Sequence, residues 1–116
     1  MDERLLLKRI AQNDEQALSR MIRQYSAYVV TVIHNRSRGI LAPEDEEEIT
    51  SDVFLTLWQN AGKIRTETVR PWLGSGARNL TADRLRTQKV TLPLEEDVTI
   101  GEDPLWEKFS EREQLL

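Results

Sequence analysis

Between Asp14 and Arg36 the apolar residues Leu18, Met21, Ile22, Tyr25, Val29, Val32 and Ile33 recur on one stripe at helical period, with Asn13 or Asp14 placed to cap the first turn. The pattern predicts a long amphipathic helix. Leu6, Leu7, Ile10 and Ala11 predict a shorter one ahead of it, from about Glu3 to Gln12. Gly39 then breaks the chain, and Pro43, followed by Glu44, Asp45 and Glu46, suits the first turn of a third helix running from about Pro43 to Asn60. The stretch Ala61 to Thr68 has no period, contains Gly62 beside Lys63 and Arg65, and reads as a basic loop. A fourth helix follows from about Val69 to Thr87, with Thr68 as its cap, Pro71 in its first turn, and Leu73, Ala77 and Leu80 as its stripe. Beyond Lys89 the period is lost. Pro93 and Gly101 mark a linker over residues 90–103, and residues 104–116 read as the start of a further helix. The expected fold is all-α, a compact bundle of about four helices over residues 1–89.

With 116 residues the chain has the length of one domain. It has no Cys and one His, which excludes a disulfide framework, a Cys-based zinc site, a thiol nucleophile and a two-His metal pair. The first fifteen residues are too charged for a secretory signal, and no apolar run approaches the roughly 18 residues that span a bilayer. A soluble, cytoplasmic protein without a cofactor or a membrane partner is the expectation. Net charge is −4, but it alternates along the chain. Residues 1–40 carry 7 basic and 4 acidic side chains, 41–60 carry 0 and 6, 61–89 carry 7 and 2, and 90–116 carry 2 and 8. A negative total therefore does not exclude a nucleic-acid partner.

Projected at about 100° per residue, the third helix gathers Ile49, Val53 and Leu57 on its inner face, with Phe54 and Ala61 at one margin. The opposite face carries Glu44, Glu48, Ser51 and Asp52, yet also Leu55 and Trp58. Large apolar groups within a charged rim suit a protein-docking surface. A solvated acidic face with Trp58 packed on the following loop is the competing reading. On the fourth helix Trp72, Asn79, Asp83 and Arg86 lie within about 60° of one another. Lys63, Arg65, Arg70, Arg78 and Arg84 are near in sequence. Cations neutralise phosphates, an aromatic ring stacks on an unpaired base, and Asn can read a base edge. Against this stands a core Trp72 with Asp83 paired to Arg86 or Arg84 in an exposed salt bridge. His34 projects off the apolar stripe and reads as exposed. Glu44, Glu47, Glu48 and Asp52 would suit Mg²⁺ only with a second acidic helix facing them, and Asp83 stands among arginines. No nucleophile and base form a pair, so catalysis is not expected.

The order Glu48-Ile49-Thr50-Ser51-Asp52-Val53-Phe54-Leu55-Thr56-Leu57-Trp58, a short basic loop, then Trp72-Leu73, Ala77-Arg78-Asn79, Asp83 and Leu85-Arg86 resembles region 2 of bacterial extracytoplasmic-function sigma factors. The similarity takes in Asn13 to Leu18 upstream and covers about residues 3–89. It implies a helical domain that docks on the clamp helices of the RNA polymerase β′ subunit and opens promoter DNA at the −10 element. By this resemblance Glu48, Ser51, Asp52, Leu55 and Trp58 bind the polymerase core. Lys63, Arg65, Thr66, Trp72, Arg78, Asn79, Asp83 and Arg86 face DNA, with the loop Ala61 to Thr68 holding a flipped base and Asn79 at a base-reading position. Unstacking a base costs a few kcal/mol, on the order that pocket contacts and phosphate neutralisation offset.

The chain departs from the family pattern in four places. Ser51 replaces a usual Gln at a docking position, Ile64 stands where an aromatic is common, and Gly76 replaces an aliphatic residue, with Gly74 close by. Each mid-helix Gly costs about 1 kcal/mol against Ala, so a loose start to the fourth helix is expected. Sigma factors of this group also continue into a helix-turn-helix region 4 that reads the −35 element, and residues 104–116 are expected to be its truncated beginning. An anti-sigma factor is a further candidate partner. The alternative function is an all-helical interaction domain bound by such a regulatory protein, without DNA recognition of its own.

Overall fold

The computed structural model describes residues 2–65 and 69–88. The expected linker, the terminal segment 104–116, Thr66 and the cap at Thr68 lie outside these residues. The order is α1 (Glu3–Ala11), α2 (Glu15–Ser37), α3 (Pro43–Asn60), a 3₁₀ turn (Ala61–Lys63) and α4 (Arg70–Thr87), with no strand among the described residues. The all-α bundle is therefore as expected, and the loop after α3 is corrected to begin with a turn of helix. No helix among the described residues is long and apolar enough to cross a membrane.

Local chemistry sets the helix ends. Asp2 caps α1 through the Arg4 N–H, and Asp14 caps α2 through the N–H groups of Gln16 and Ala17 at 3.0 and 3.2 Å. Asn13, at φ 67°, makes the left-handed step that reverses the chain between them. Arg38 and Gly39 take φ 58° and 73° in succession, which ends α2 by a left-handed cap. α3 has no side-chain cap and begins instead with Pro43 and three acids in its first turn. Glu46 ties it to the end of α2, accepting from Ser37 Oγ at 3.2 Å and lying 3.2 Å from His34 Nδ1. His34 itself is exposed, as expected.

A distant residue organises the entry to α4. The Val69 N–H, at the N-cap position, donates to Glu3 Oε1 at 3.0 Å. The other oxygen of Glu3 accepts from Gln24 Nε2 at 3.1 Å and from the Tyr25 hydroxyl, so one carboxylate joins the first turns of α1 and α4 to the middle of α2.

The core is Leu6, Leu7 and Ile10 of α1, Met21, Val29 and Ile33 of α2, Ile49, Val53, Phe54 and Leu57 of α3, and Trp72, Leu73, Ala77 and Leu85 of α4. Leu80, expected in the stripe of α4, is partly buried and packs against this core, while Thr81 and Leu85 take the interior positions. Residues 72–77 are all buried, because α2 and α3 both pack on α4. The expected looseness at the glycines is not what the packing shows. A Cβ on Gly74 would collide with the Tyr28 hydroxyl, so this Gly makes room for the tip of a side chain from α2.

Candidate functional site

Of the large apolar side chains exposed among the described residues, Leu5, Val30, Ile40 and Leu55, the one on α3 stands beside a groove. Leu55 is 51% exposed, although Phe54 and Leu57 beside it are buried. Together with Trp58 it lines an open groove of about 530 Å³ between α3 and the first half of α2. Phe54, Leu18 and Ile22 supply its apolar floor, and Glu15, Ser19, Thr50 and Ser51 its polar edge. Helical spacing puts Ser51, Leu55 and Trp58 on one row of α3, and Leu18 and Ile22 on the facing row of α2. The row on α2 belonged to the core stripe in the sequence. Its residues are partly buried, and the edge of that stripe supplies half of the groove.

The other two residues expected at this surface stand apart from the groove. Glu48 accepts from Arg84 Nη2 at 2.6 Å, and the same guanidinium reaches Asp45 through Nη1 at 2.7 Å. Burial works to lower the Arg84 pKa. The hydrogen bond and charge of Glu48, with the charge and hydrogen bond of Asp45, outweigh it and hold the group above its ordinary value. Asp52 is half-buried on the same helix. The carboxylates considered for Mg²⁺ are thus partly engaged by a cation, and no cluster of three or more metal-ligating side chains occurs among the described residues.

The basic constellation divides. Lys63 and Arg65 are exposed beside α1, each lining a shallow depression next to Gly62. Arg78 and Asn79 are half-buried on α4, and Asp83 and Arg86 are exposed there and paired with each other. Asp83 is thus neutralised within its own helix, the competing outcome drawn from its spacing. Trp72 requires a correction, since it is 1% exposed and part of the core. In this conformation its ring offers no face to an unpaired base. The physical reason is the double coverage of α4, which buries positions to either side of the Leu73–Ala77 stripe. Ile64 is buried as well.

Asn79 holds a different kind of information. Its Nδ2 is shielded from water and donates no hydrogen bond among the described residues. An amide donor left in that state costs about 1–3 kcal/mol relative to a paired one, so it is a group with binding capacity to spare.

Similarity to known proteins agrees with this geometry. The family model for sigma-70 region 2 matches residues 21–91, from the second turn of α2 through α4. The extracytoplasmic-function RNA polymerase sigma factor SigK of Mycolicibacterium vanbaalenii is 31% identical over 87 residues, which is 73% of this chain and 43% of that protein. The chain thus spans less than half the length of this curated relative. No solved structure matches. The four-helix arrangement and the family match over α2 to α4 lead to one assignment: the chain belongs to the sigma-70 region 2 family.

Proposed function

We propose that this domain docks on the RNA polymerase core, at the β′ clamp helices, through the α2–α3 groove, and that the turn after α3 together with α4 recognises and melts the promoter −10 element. The observation that carries the docking half is Leu55, half in water beside Trp58 and Ser51 in a groove open enough to receive a partner side chain. Glu48 and Asp52 add negative charge on the same helix, suited to a basic partner surface. On the DNA side, Lys63, Arg65, Arg78 and Arg86 supply phosphate neutralisation, and the unused donor of Asn79 supplies a base contact once the local packing opens. Thr66 would extend this surface; Trp72 would support it from beneath.

Co-elution of the chain with purified core polymerase in size-exclusion chromatography tests the proposal, at low and at moderate salt. Retention of Leu55→Asp on the core to the same extent as the parent would overturn docking through this groove. A second reading has its own support, because Trp72 is core and Asp83 is paired to Arg86. It is a domain held by a regulatory, anti-sigma-like protein with no DNA recognition. Salt-dependent binding of single-stranded −10 DNA in the presence of polymerase separates the two.

A further inference from the structure

A second groove, of about 560 Å³, lies between α1 and the turn after α3. Arg4 and Lys8 of α1 and Arg65 just past the turn line it, around a floor of Leu7, Ala61 and Ile64. All three cations are exposed, and none forms an ion pair among the described residues. No carboxylate lines the groove. The acids nearest in sequence are engaged elsewhere, since Asp2 and Asp14 cap α1 and α2 and Glu3 holds the Val69 N–H, Gln24 and Tyr25. Positive charge is therefore concentrated over an apolar floor.

Two features join this groove to the basic surface of the turn and α4. Ala11, Ala61 and Gly62 also line the neighbouring depression, which holds Lys63, Asn13 and Gln59 and again no carboxylate. The two depressions thus share a rim. The Glu3–Val69 hydrogen bond keeps the first turn of α1 beside the start of α4, so Arg4 stands at the margin of the same surface.

A single strand of nucleic acid has the matching chemistry. Its regularly repeated phosphates take up a row of cations, while the carbon faces of its sugars and bases cover apolar ground. An acidic peptide matches the charge but not the continuity, because Lys63 and Arg65 sit in and beside the turn that the −10 reading gives to DNA. We infer that Arg4 and Lys8 of α1 are phosphate-binding residues, which with Arg65 hold a single DNA strand along the groove over Leu7, Ala61 and Ile64. The inference rests on the DNA reading and extends its surface from the turn and α4 onto the first helix.

Anisotropy of a labelled oligothymidylate titrated with the full chain tests it. Arg4→Ala/Lys8→Ala should weaken binding about tenfold at 50 mM salt and lower the slope of log K against log salt by about 1.4, the value for two phosphate contacts to a single strand. Arg4→Lys/Lys8→Arg should bind within about twofold of the parent, because phosphate neutralisation asks for the charge and not for one particular side chain. Arg20→Ala/Arg23→Ala removes the same charge from exposed positions of α2 outside the groove and should change binding by about twofold or less. Equal losses from the two alanine pairs would overturn the seat, leaving overall charge as the attraction. Weakening by Lys63→Ala/Arg65→Ala with none by Arg4→Ala/Lys8→Ala would also overturn it while the DNA reading stands. An oligoglutamate peptide bound through Arg4 and Lys8, with oligothymidylate binding indifferent to them, would make the groove a seat for an acidic protein segment instead. Absence of any oligothymidylate binding by the parent chain would overturn the seat as well, and the promoter-strand measurement with polymerase then decides the DNA reading separately.

Discussion

Arg84 of α4 and Glu48 of α3 meet at 2.6 Å, and the same guanidinium holds Asp45 one helical turn earlier at 2.7 Å. The acidic start of α3 is thereby fastened to the last turn of α4, where a cation is also favoured by the helix dipole. Because the folded-state pKa of Arg84 is raised, the stabilisation is fully present below its unfolded value and is lost only as strong alkali takes pH through the folded one. Arg84→Ala should lower stability by about 1 kcal/mol, since both carboxylates keep some access to water. A melt followed by circular dichroism would show a drop of about 4–8 °C for a domain of this size. Arg84→Lys should recover part of it, since an ammonium restores charge without the planar fork.

Glu3 is the other long-range fastening, and it involves a backbone group. Replacing it by Ala leaves the Val69 N–H without its acceptor and strips a partner from Tyr25 and Gln24. The expected loss is about 1–3 kcal/mol in urea unfolding. Amide exchange should locate it, with Val69 losing protection more than the centre of α3 does.

How much of this was legible in the sequence depended on whether the determinant was local. The bounds of α3 follow from Pro43 and the acids behind it, and the start of α2 from Asp14, because caps and dipoles act within one turn. The Glu3–Val69 bond joins residues 66 apart and has no periodic signature. Trp72 was misplaced for a related reason. A stripe drawn through Leu73, Ala77 and Leu80 assumes one covering neighbour, whereas α2 and α3 enclose α4 from two sides. The α3 row of the candidate site was readable because Leu55 and Trp58 break an otherwise charged face. The α2 row was not, since Leu18 and Ile22 continue a stripe whose inner members are core.

Leu55 and Leu57 separate docking from folding. Leu57 is 0% exposed, and Leu57→Ala should cost about 2–5 kcal/mol through lost contacts and the cavity left behind. Leu55→Asp changes a side chain already half in water and should shift stability by about 0.5 kcal/mol or less. Its effect should appear instead as loss of co-elution with core polymerase. Retained binding with unchanged stability would remove the groove from the interface.

Gly74 offers a test of helix packing that runs against propensity. Gly to Ala in a helix interior ordinarily stabilises by about 1 kcal/mol. Here the new methyl would overlap the Tyr28 hydroxyl, and the Tyr28 ring is itself held beneath the Arg70 guanidinium at 4.4 Å. Gly74→Ala should therefore destabilise the domain despite the better propensity. Tyr28→Phe removes the oxygen that collides, so Gly74→Ala made in that background should cost less or become favourable. The difference, read as a coupling energy from a double-mutant cycle in urea, should be about 1 kcal/mol or more. A gain from Gly74→Ala in the parent chain would mean that Tyr28 moves aside freely, and that the seat of its hydroxyl does not depend on the glycine.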